Sequence, residues 1–340
     1  MSTPFARERE VALAAVRKAA TLCQAVQSEI DPSVLEKEDR TPVTVADFGS
    51  QALICNALRE AFPDDPVIAE EDSSALRASQ GILLQVTQQV QQIRSGVTPN
   101  TVCSWIDRGN ADGYSDRFWT LDPIDGTKGF VRGDQYAIAL ALIVNGVPQV
   151  AAVGCPNLPA ELTDTPTDGD VDAGEDAGLV FVAVRGEGAV QIPLSEDDAE
   201  GTPIEVSTTD TPSEGRFTDS FVSAHSSHDT AVDTGHALGI TADPIRIDSQ
   251  AKYTLVGRGD AEIYFRLPRP GSDYVEKIWD HAAGMLVVEA AGGTVTDVHG
   301  DPLDFTHAPL LSENTGIVAT NGHFHDAVLD ALSEQMALRG

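Results

Sequence analysis

The stretch Trp119-Thr120-Leu121-Asp122-Pro123-Ile124-Asp125-Gly126-Thr127 runs apolar, then turns abruptly into acid, proline and glycine. Asp122 and Asp125, three residues apart on a turn leaving a buried strand, can converge on one hard cation. Carboxylate and carbonyl oxygens are what Mg2+ accepts, usually alongside waters and a substrate phosphate. Pro123 biases Asp122 towards extended backbone and has no amide hydrogen to donate. Gly126 removes a side chain where backbone must approach something closely. The amides of Gly126 and Thr127 then face whatever lies beyond, as in an anion nest. Taken alone, D-P-x-D also reads as a strand followed by an acidic turn.

Three further acids stand at the ends of expected elements. Asp47 opens a helix after Pro42-Val43-Thr44-Val45-Ala46. Glu70 ends a short strand. Asp280 sits in Trp279-Asp280-His281-Ala282-Ala283-Gly284, at the start of a helix of small and apolar residues. Taken singly, Asp47 and Asp280 also read as N-caps, and Glu70-Glu71 as a solvated turn.

The elements that must position these acids follow from periodicity and punctuation. Residues 5–30 read as a helix, with Val11, Ala15, Ala19, Leu22, Val26 and Ile30 near a 3.6 period and Asp31-Pro32 as the stop. Thr41–Thr44 reads as an extended lead-in, and a second helix runs from Ala46-Asp47 to about Phe62. Val67-Ile68-Ala69 is a short strand, 74–95 a glutamine-rich helix, and the segment from there to Arg117 a polar loop. Asn145-Gly146 between two apolar runs, 137–144 and 147–154, is a hairpin signal. Residues 159–177 hold seven acids and no base, an acidic linker or surface insertion. Asp168-x-Asp170-x-Asp172 fails as a calcium loop, because Ala173 and Leu179 stand where Gly and Glu are needed. Beyond it, strands are expected at 179–184, 189–193, 221–224, 245–247, 261–267 and 294–298. Helices are expected at 229–238, 249–257, 279–291 and 323–337, with His323-x-His325 at a helix start. The fold class is α/β in layers, with N-terminal (1–158) and C-terminal (178–340) subdomains and sheets sandwiched between helix layers.

Composition excludes several functions. The 53 acids and 22 bases leave a net charge of −31, and there are only five lysines (18, 37, 128, 252 and 277). Neither a nucleic-acid polymer nor an anionic membrane surface suits such a chain. The balance resembles that of proteins from salt-accumulating cells, where a short Debye length tolerates self-repulsion. Cys23, Cys55, Cys103 and Cys155 form no C-x-x-C pair and read as small buried hydrophobes. The charged stretch Met1–Glu10 lacks the apolar region of a signal peptide, and the longest apolar run, 137–144, is too short for a bilayer. The expectation is a cytoplasmic protein.

The nine-residue stretch resembles the metal-binding motif of the inositol monophosphatase superfamily, the lithium-sensitive, Mg2+-dependent phosphatases. The other acidic pieces occur in that family's order from residue 37 to about 305. The resemblance implies an αβαβα sandwich of two sheets. It implies two or three Mg2+ ions held by Glu70, Asp122, the Ile124 carbonyl, Asp125 and Asp280, and a water activated by Asp47 and Thr127. The roles suit phosphate-ester cleavage, which needs positioning and charge stabilisation more than covalent help. Ala69 departs from the glycine the family usually has before its paired glutamates.

His225-Ser226-Ser227-His228-Asp229, Asp248-Ser249-Gln250-Ala251-Lys252-Tyr253, Tyr264-Phe265-Arg266-Leu267-Pro268 and Glu276-Lys277-Ile278-Trp279-Asp280 resemble one branch, the 3′(2′),5′-bisphosphate nucleotidases of sulfur assimilation. That branch implies a small-molecule substrate, adenosine 3′,5′-bisphosphate, cleaved to AMP and phosphate, with 3′-phosphoadenylyl sulfate open as another. Gly126, Thr127, His225, Ser249, Lys252, Arg266 and Asp280 are its implied contacts. An imidazole can lie against adenine, and Lys252 and Arg266 can neutralise the uncleaved 5′-phosphate. His225 alone also reads as a capping or core histidine. Histidines 236, 281, 299, 307, 323 and 325 lack such support. A monomer or small homo-oligomer is expected. An inositol-phosphate or sugar-phosphate phosphatase stays open, as does a catalytically silent nucleotide-binding protein, which should have lost an acid or Thr127.

Overall fold

A computed structural model describes residues 4–30, 41–162, 178–196, 200–220, 228–268 and 271–339. The first sheet takes its strands in chain order: β1 (Val67–Ala69), β2 (Arg117–Asp125), β3 (Ala137–Val144), β4 (Val147–Cys155), β5 (Leu179–Val184), β6 (Gly188–Pro193) and β7 (Thr202–Ile204). β1 and β2 are parallel and the rest antiparallel. The second sheet has the order β11 (Thr294–Thr296), β12 (Ile317–Thr320), β10 (Ile263–Arg266), β8 (Phe217–Asp219) and β9 (Ile245–Arg246).

Helices separate and flank the sheets. On the outer face of the first sheet lie α1 (Ala6–Ser28) and α2 (Thr41–Ala61), with α3 (Ser73–Ala78), α4 (Gln80–Ile93) and α5 (Pro99–Ile106) beyond; the short α6 (Thr127–Arg132) follows β2. α8 (Ala251–Gly257) and α9 (Ala282–Ala290) pack between the sheets, and α7 (His228–Ala237) and α10 (His325–Arg339) cover the far side. The layering is αβαβα, as expected.

β3 shows why the middle layer fits. Its alternate residues Ile138, Leu140 and Leu142 enter the core under α1 and α2, while Ala137, Ala139 and Ala141 face the core that contains α9. Side chains alternate between faces with a period of two, so the alanines line the face towards α9 and leave it room. α9 itself is buried from Ala282 to Val288, which only an all-apolar helix between two sheets tolerates. All four cysteines are free and buried in these cores.

Several expectations need correction. Thr41–Thr44 is helical within α2, not an extended lead-in. The glutamine-rich segment is two helices, broken at Ser79. Within the expected polar loop stands α5, capped by the Thr98 side chain with Pro99 at its first turn, a pairing that favours helix starts. β7, β8 and β12 were not expected, and β12 pairs with both β10 and β11. The sheets do not divide at the acidic segment, since β4 and β5 pair across it from Val150↔Val184 to Cys155↔Leu179; the first sheet continues to Ile204. The expected strand 221–224 lies outside the described residues. The Asn145-Gly146 hairpin forms, with φ of 52° and 75°, the positive pair a type I′ turn requires. No described helix is long and apolar enough to cross a membrane.

Candidate active site

The first sheet delivers its acids side by side. β1 and β2 pair in parallel through Ala69↔Leu121, and the Glu70 amide extends the ladder by donating to Leu121 O at 3.2 Å. Glu70 therefore leaves the sheet beside Asp122. The β2–β3 register shifts between Asp122 and Asp125, so Pro123 and Ile124 bulge out and both acids stay within the strand. Asp122 Oδ1 accepts from the Ile124 amide at 3.1 Å. α2 holds this bulge: Ser50 Oγ donates to Pro123 O at 2.9 Å. Gln51, fully buried, donates to the Ile106 carbonyl at 3.1 Å and accepts from the Glu71 amide at 3.1 Å. Asp47 lies one turn earlier on α2, inside the helix, so it is no N-cap. Ala69 has no positive φ; a Cβ on Gly109 would stand 2.7 Å from its methyl, so the methyl occupies room that Gly109 leaves.

The second sheet and the middle helices close the other side. Ser249 has φ 73°, and a Cβ on Gly126 would sit 3.0 Å from the Ser249 Cβ. The neighbouring Gln250 amide donates to Asp125 Oδ2 at 2.6 Å. The Gln250 side chain donates to Trp279 O at 2.9 Å and accepts from the Gly284 amide at 3.0 Å. One buried glutamine thus ties the Asp125 bulge to the turn carrying Asp280. Asp280 closes a 3-10 turn, Ile278–Asp280, ahead of α9, and caps nothing. Lys252, in α8, is buried with its Nζ 5.3 Å from the Tyr264 ring centroid. Arg266 Nε donates to Glu276 Oε1 at 3.0 Å.

Electrostatics show that the acids converge. Asp122 is pushed well above the carboxylate range by burial, then by Glu70, Asp125, Asp280 and Asp47. Asp47 is raised by burial, then by Glu71 and Glu70. Desolvation, Glu71 and Asp125 push Glu70 up to about 7. Burial and Asp125 take Asp280 to about 7 as well, against the pull of His281 and Arg266. Burial lowers Lys252, opposed by Asp125 and Asp248.

Five carboxylates from four elements cannot all ionise in one place without a cation. Asp47 Oδ1 is buried without a hydrogen-bond partner, a lone pair left for something else. An all-oxygen donor set of this kind fits a hard divalent ion. Glu276, Asp280 and His281 also bring ligand-type atoms within 4.8 Å of one another. Glu276 and His281 satisfy each other, however, His281 Nε2 lying 3.1 Å from Glu276 Oε2, which leaves Asp280 as the member available to a cation.

Asp47, Glu70, Asp122, Ile124, Asp125, Gly126, Ser249, Lys252, Arg266 and Asp280 thus come together around β2. Thr127 opens α6 with its side chain exposed. His225 lies outside the described residues. Sequence reading missed Gln250, Tyr253 and His281, although each adjoins or lies near a residue it had singled out. It also missed Tyr274, an exposed aromatic ring close enough for Asp280, Glu276, Arg266 and Glu70 to act on its hydroxyl.

The sequence pattern of the inositol monophosphatase family matches residues 7–337. The chain belongs to that family. Relatives named 3'(2'),5'-bisphosphate nucleotidase come from Oryza sativa, 43% identical over 350 residues, and Emericella nidulans, 39% identical over 351 residues. Each alignment covers 98% of this chain, with 96% and 99% of the relative. A third of that name, from Schizosaccharomyces pombe, is 39% identical over 343 residues, covering 96% of this chain and 95% of the relative. The fold is that of the Anabaena inositol monophosphatase, TM-score 0.63 at 22% identity, covering 98% of this chain and 97% of that one. The Zymomonas mobilis inositol monophosphatase gives a TM-score of 0.64 at 16% identity, covering 98% and 100%.

Proposed function

We propose that this chain is a divalent-cation-dependent phosphomonoesterase that removes the 3′-phosphate of adenosine 3′,5′-bisphosphate, with Mg2+ as the cation. The observation that carries this reading is the convergence of Asp47, Glu70, Asp122, Asp125 and Asp280, with the cations of Lys252 and Arg266 at its edge. The names of the relatives, 36–43% identical over nearly their whole length, support the same substrate.

Glu70, Asp122, the Ile124 carbonyl, Asp125 and Asp280 would hold two or three Mg2+ ions. Such ions would supply a lowered pKa for an attacking water and charge stabilisation for the leaving oxygen. The chain's own work is positioning and proton handling. Asp47, buried with one oxygen free of partners, accepts the proton of that water, and the exposed Thr127 hydroxyl orients it. Gly126, at φ 87°, gives the phosphate access to backbone where a side chain would obstruct it. Lys252 and Arg266 take the second phosphate, and Ser249, seated on Gly126, joins that pocket to the catalytic bulge. His225 is proposed for the adenine face.

Asp122→Asn tests the reading. The variant keeps shape and removes one of the crowded charges, so the metal-free fold should melt no lower than wild type. Phosphate release at saturating Mg2+ should fall by roughly a thousandfold or more, corresponding to the several kcal/mol that a metal supplies. Undiminished release would place the chemistry elsewhere.

A further inference from the structure

Arg266 ends β10, and its side chain is 17% exposed. Among the described residues, Glu276 is the hydrogen-bond partner of its guanidinium, and the contact runs through Nε. A carboxylate on Nε leaves the two terminal nitrogens, the fork that suits a phosphate. Glu276 is itself held at both oxygens. Oε1 takes Arg266, and Oε2 takes His281 Nε2 at 3.1 Å. His281 is 1% exposed, and its Nδ1 lies 2.8 Å from the Tyr253 hydroxyl.

The directions in this chain follow from donor and acceptor capacity. Glu276 is a carboxylate: burial pulls it up, but His281 and Arg266 hold it at about 2. It can only accept, so His281 Nε2 donates to it. The other ring nitrogen, Nδ1, and the Tyr253 hydroxyl share the second hydrogen bond, which holds the ring in place whichever of the two donates. Tyr253 follows Lys252 on α8, and its ring packs where Gly284 of α9 has no side chain. The chain Tyr253–His281–Glu276–Arg266 therefore links α8, the turn ahead of α9, and β10, which carry Lys252, Asp280 and Arg266.

We propose that Glu276, braced by His281 and Tyr253, is a positioning residue that fixes Arg266 through Nε and so presents its terminal nitrogens to the phosphate that is not cleaved. It is thereby a determinant of selectivity for bisphosphates over monophosphates. The inference rests on the nucleotidase reading, since it needs a second phosphate to act on.

The test is a comparison of kcat and KM on adenosine 3′,5′-bisphosphate and adenosine 3′-monophosphate at saturating Mg2+. The proteins are wild type, Glu276→Asp, Arg266→Ala, their double variant and Tyr253→Phe. Glu276→Asp keeps the charge and shortens the reach by one methylene. Its KM for the bisphosphate should rise about tenfold, the weight of one charge-assisted hydrogen bond. The monophosphate constants and both kcat values should stay within about twofold. In the Arg266→Ala background the same change should add nothing, because the two residues act as a unit. Tyr253→Phe keeps the packed ring and loses the hydroxyl, so KM for the bisphosphate should rise about two- to fourfold. It decides the matter if Glu276→Asp does not fold.

An unchanged bisphosphate KM, an equal loss on both substrates, or an effect that persists without Arg266 overturns the proposal. If wild type shows no preference for the bisphosphate, the nucleotidase reading itself falls. If that preference exists and depends on Arg266 but not on Glu276 or Tyr253, only the positioning role falls.

Discussion

At the scale of single residues, this site is a set of acids whose burial and mutual repulsion favour their protonated forms. The raised values of Glu70 and Asp280, about 7 each, fix a sign. In the unfolded chain such groups release their protons near pH 4. The native metal-free protein binds those protons more tightly, so the stability they contribute is complete below about pH 4 and is lost as pH rises through about 7. On the proposed reading, a divalent ion would take the place of those protons and restore it. The melting-temperature gain from Mg2+ over chelator should therefore grow between pH 5.5 and 8, and Asp122→Asn should blunt the growth. Thermal melts across that range check it; a gain independent of pH, equal in the variant, would mean that Mg2+ acts only by screening the surface.

At the scale of elements, α9 is the piece that makes two sheets into one site. It sets Asp280 before its first turn and His281 at its cap, and it lets α8 come close through Gly284. A Cβ there would stand 2.3 Å from Tyr253 Cδ2, and the ring has no free side, being buried between the sheets. Gly284→Ala should lose about 1–3 kcal/mol of stability, as overpacking in a tight core does. Denaturant unfolding measures it, and an unshifted midpoint would show that the layer yields. This element also shows what a sequence can reveal. Its small and apolar residues read as a helix, and Asp280, which alone also read as an N-cap, was singled out by the family resemblance. The Asn145-Gly146 hairpin was legible as a local arrangement with its own chemistry, whereas the stretch at Asp122–Asp125 was read as a turn leaving the strand and is a bulge within it. Gln250, His281 and Tyr253 were not, although they stand inside quoted motifs, because they bond across 28 to 34 residues and no local spacing displays such a pairing. β12 was missed because a four-residue strand has too little pattern to read, and α5 because composition was weighed above its Thr98-Pro99 start.

At the scale of the whole molecule, the net charge of −31 opposes both folding and the approach of an anionic substrate. Part of it is local, where the proposed metal would offset it, but most lies outside the site. Screening shortens the reach of repulsion to about 3 Å at 1 M salt, so the melting temperature should rise from low salt to molar KCl. A flat or falling trend would leave the composition without this explanation. The same field sharpens the central claim, because a substrate carrying two phosphates is attracted only where bound cations, Lys252 and Arg266 reverse it. The most direct measurement follows phosphate release from adenosine 3′,5′-bisphosphate, 3′-phosphoadenylyl sulfate, inositol 1-phosphate and adenosine 3′-monophosphate, with Mg2+ and with chelator, and identifies the nucleoside product. The account predicts that adenosine 3′,5′-bisphosphate gives 5′-AMP, with a kcat/KM well above those of the inositol phosphate and the monophosphate, and only when Mg2+ is present. Release of 3′-AMP, activity undiminished by chelator, or a preference for inositol 1-phosphate would contradict it.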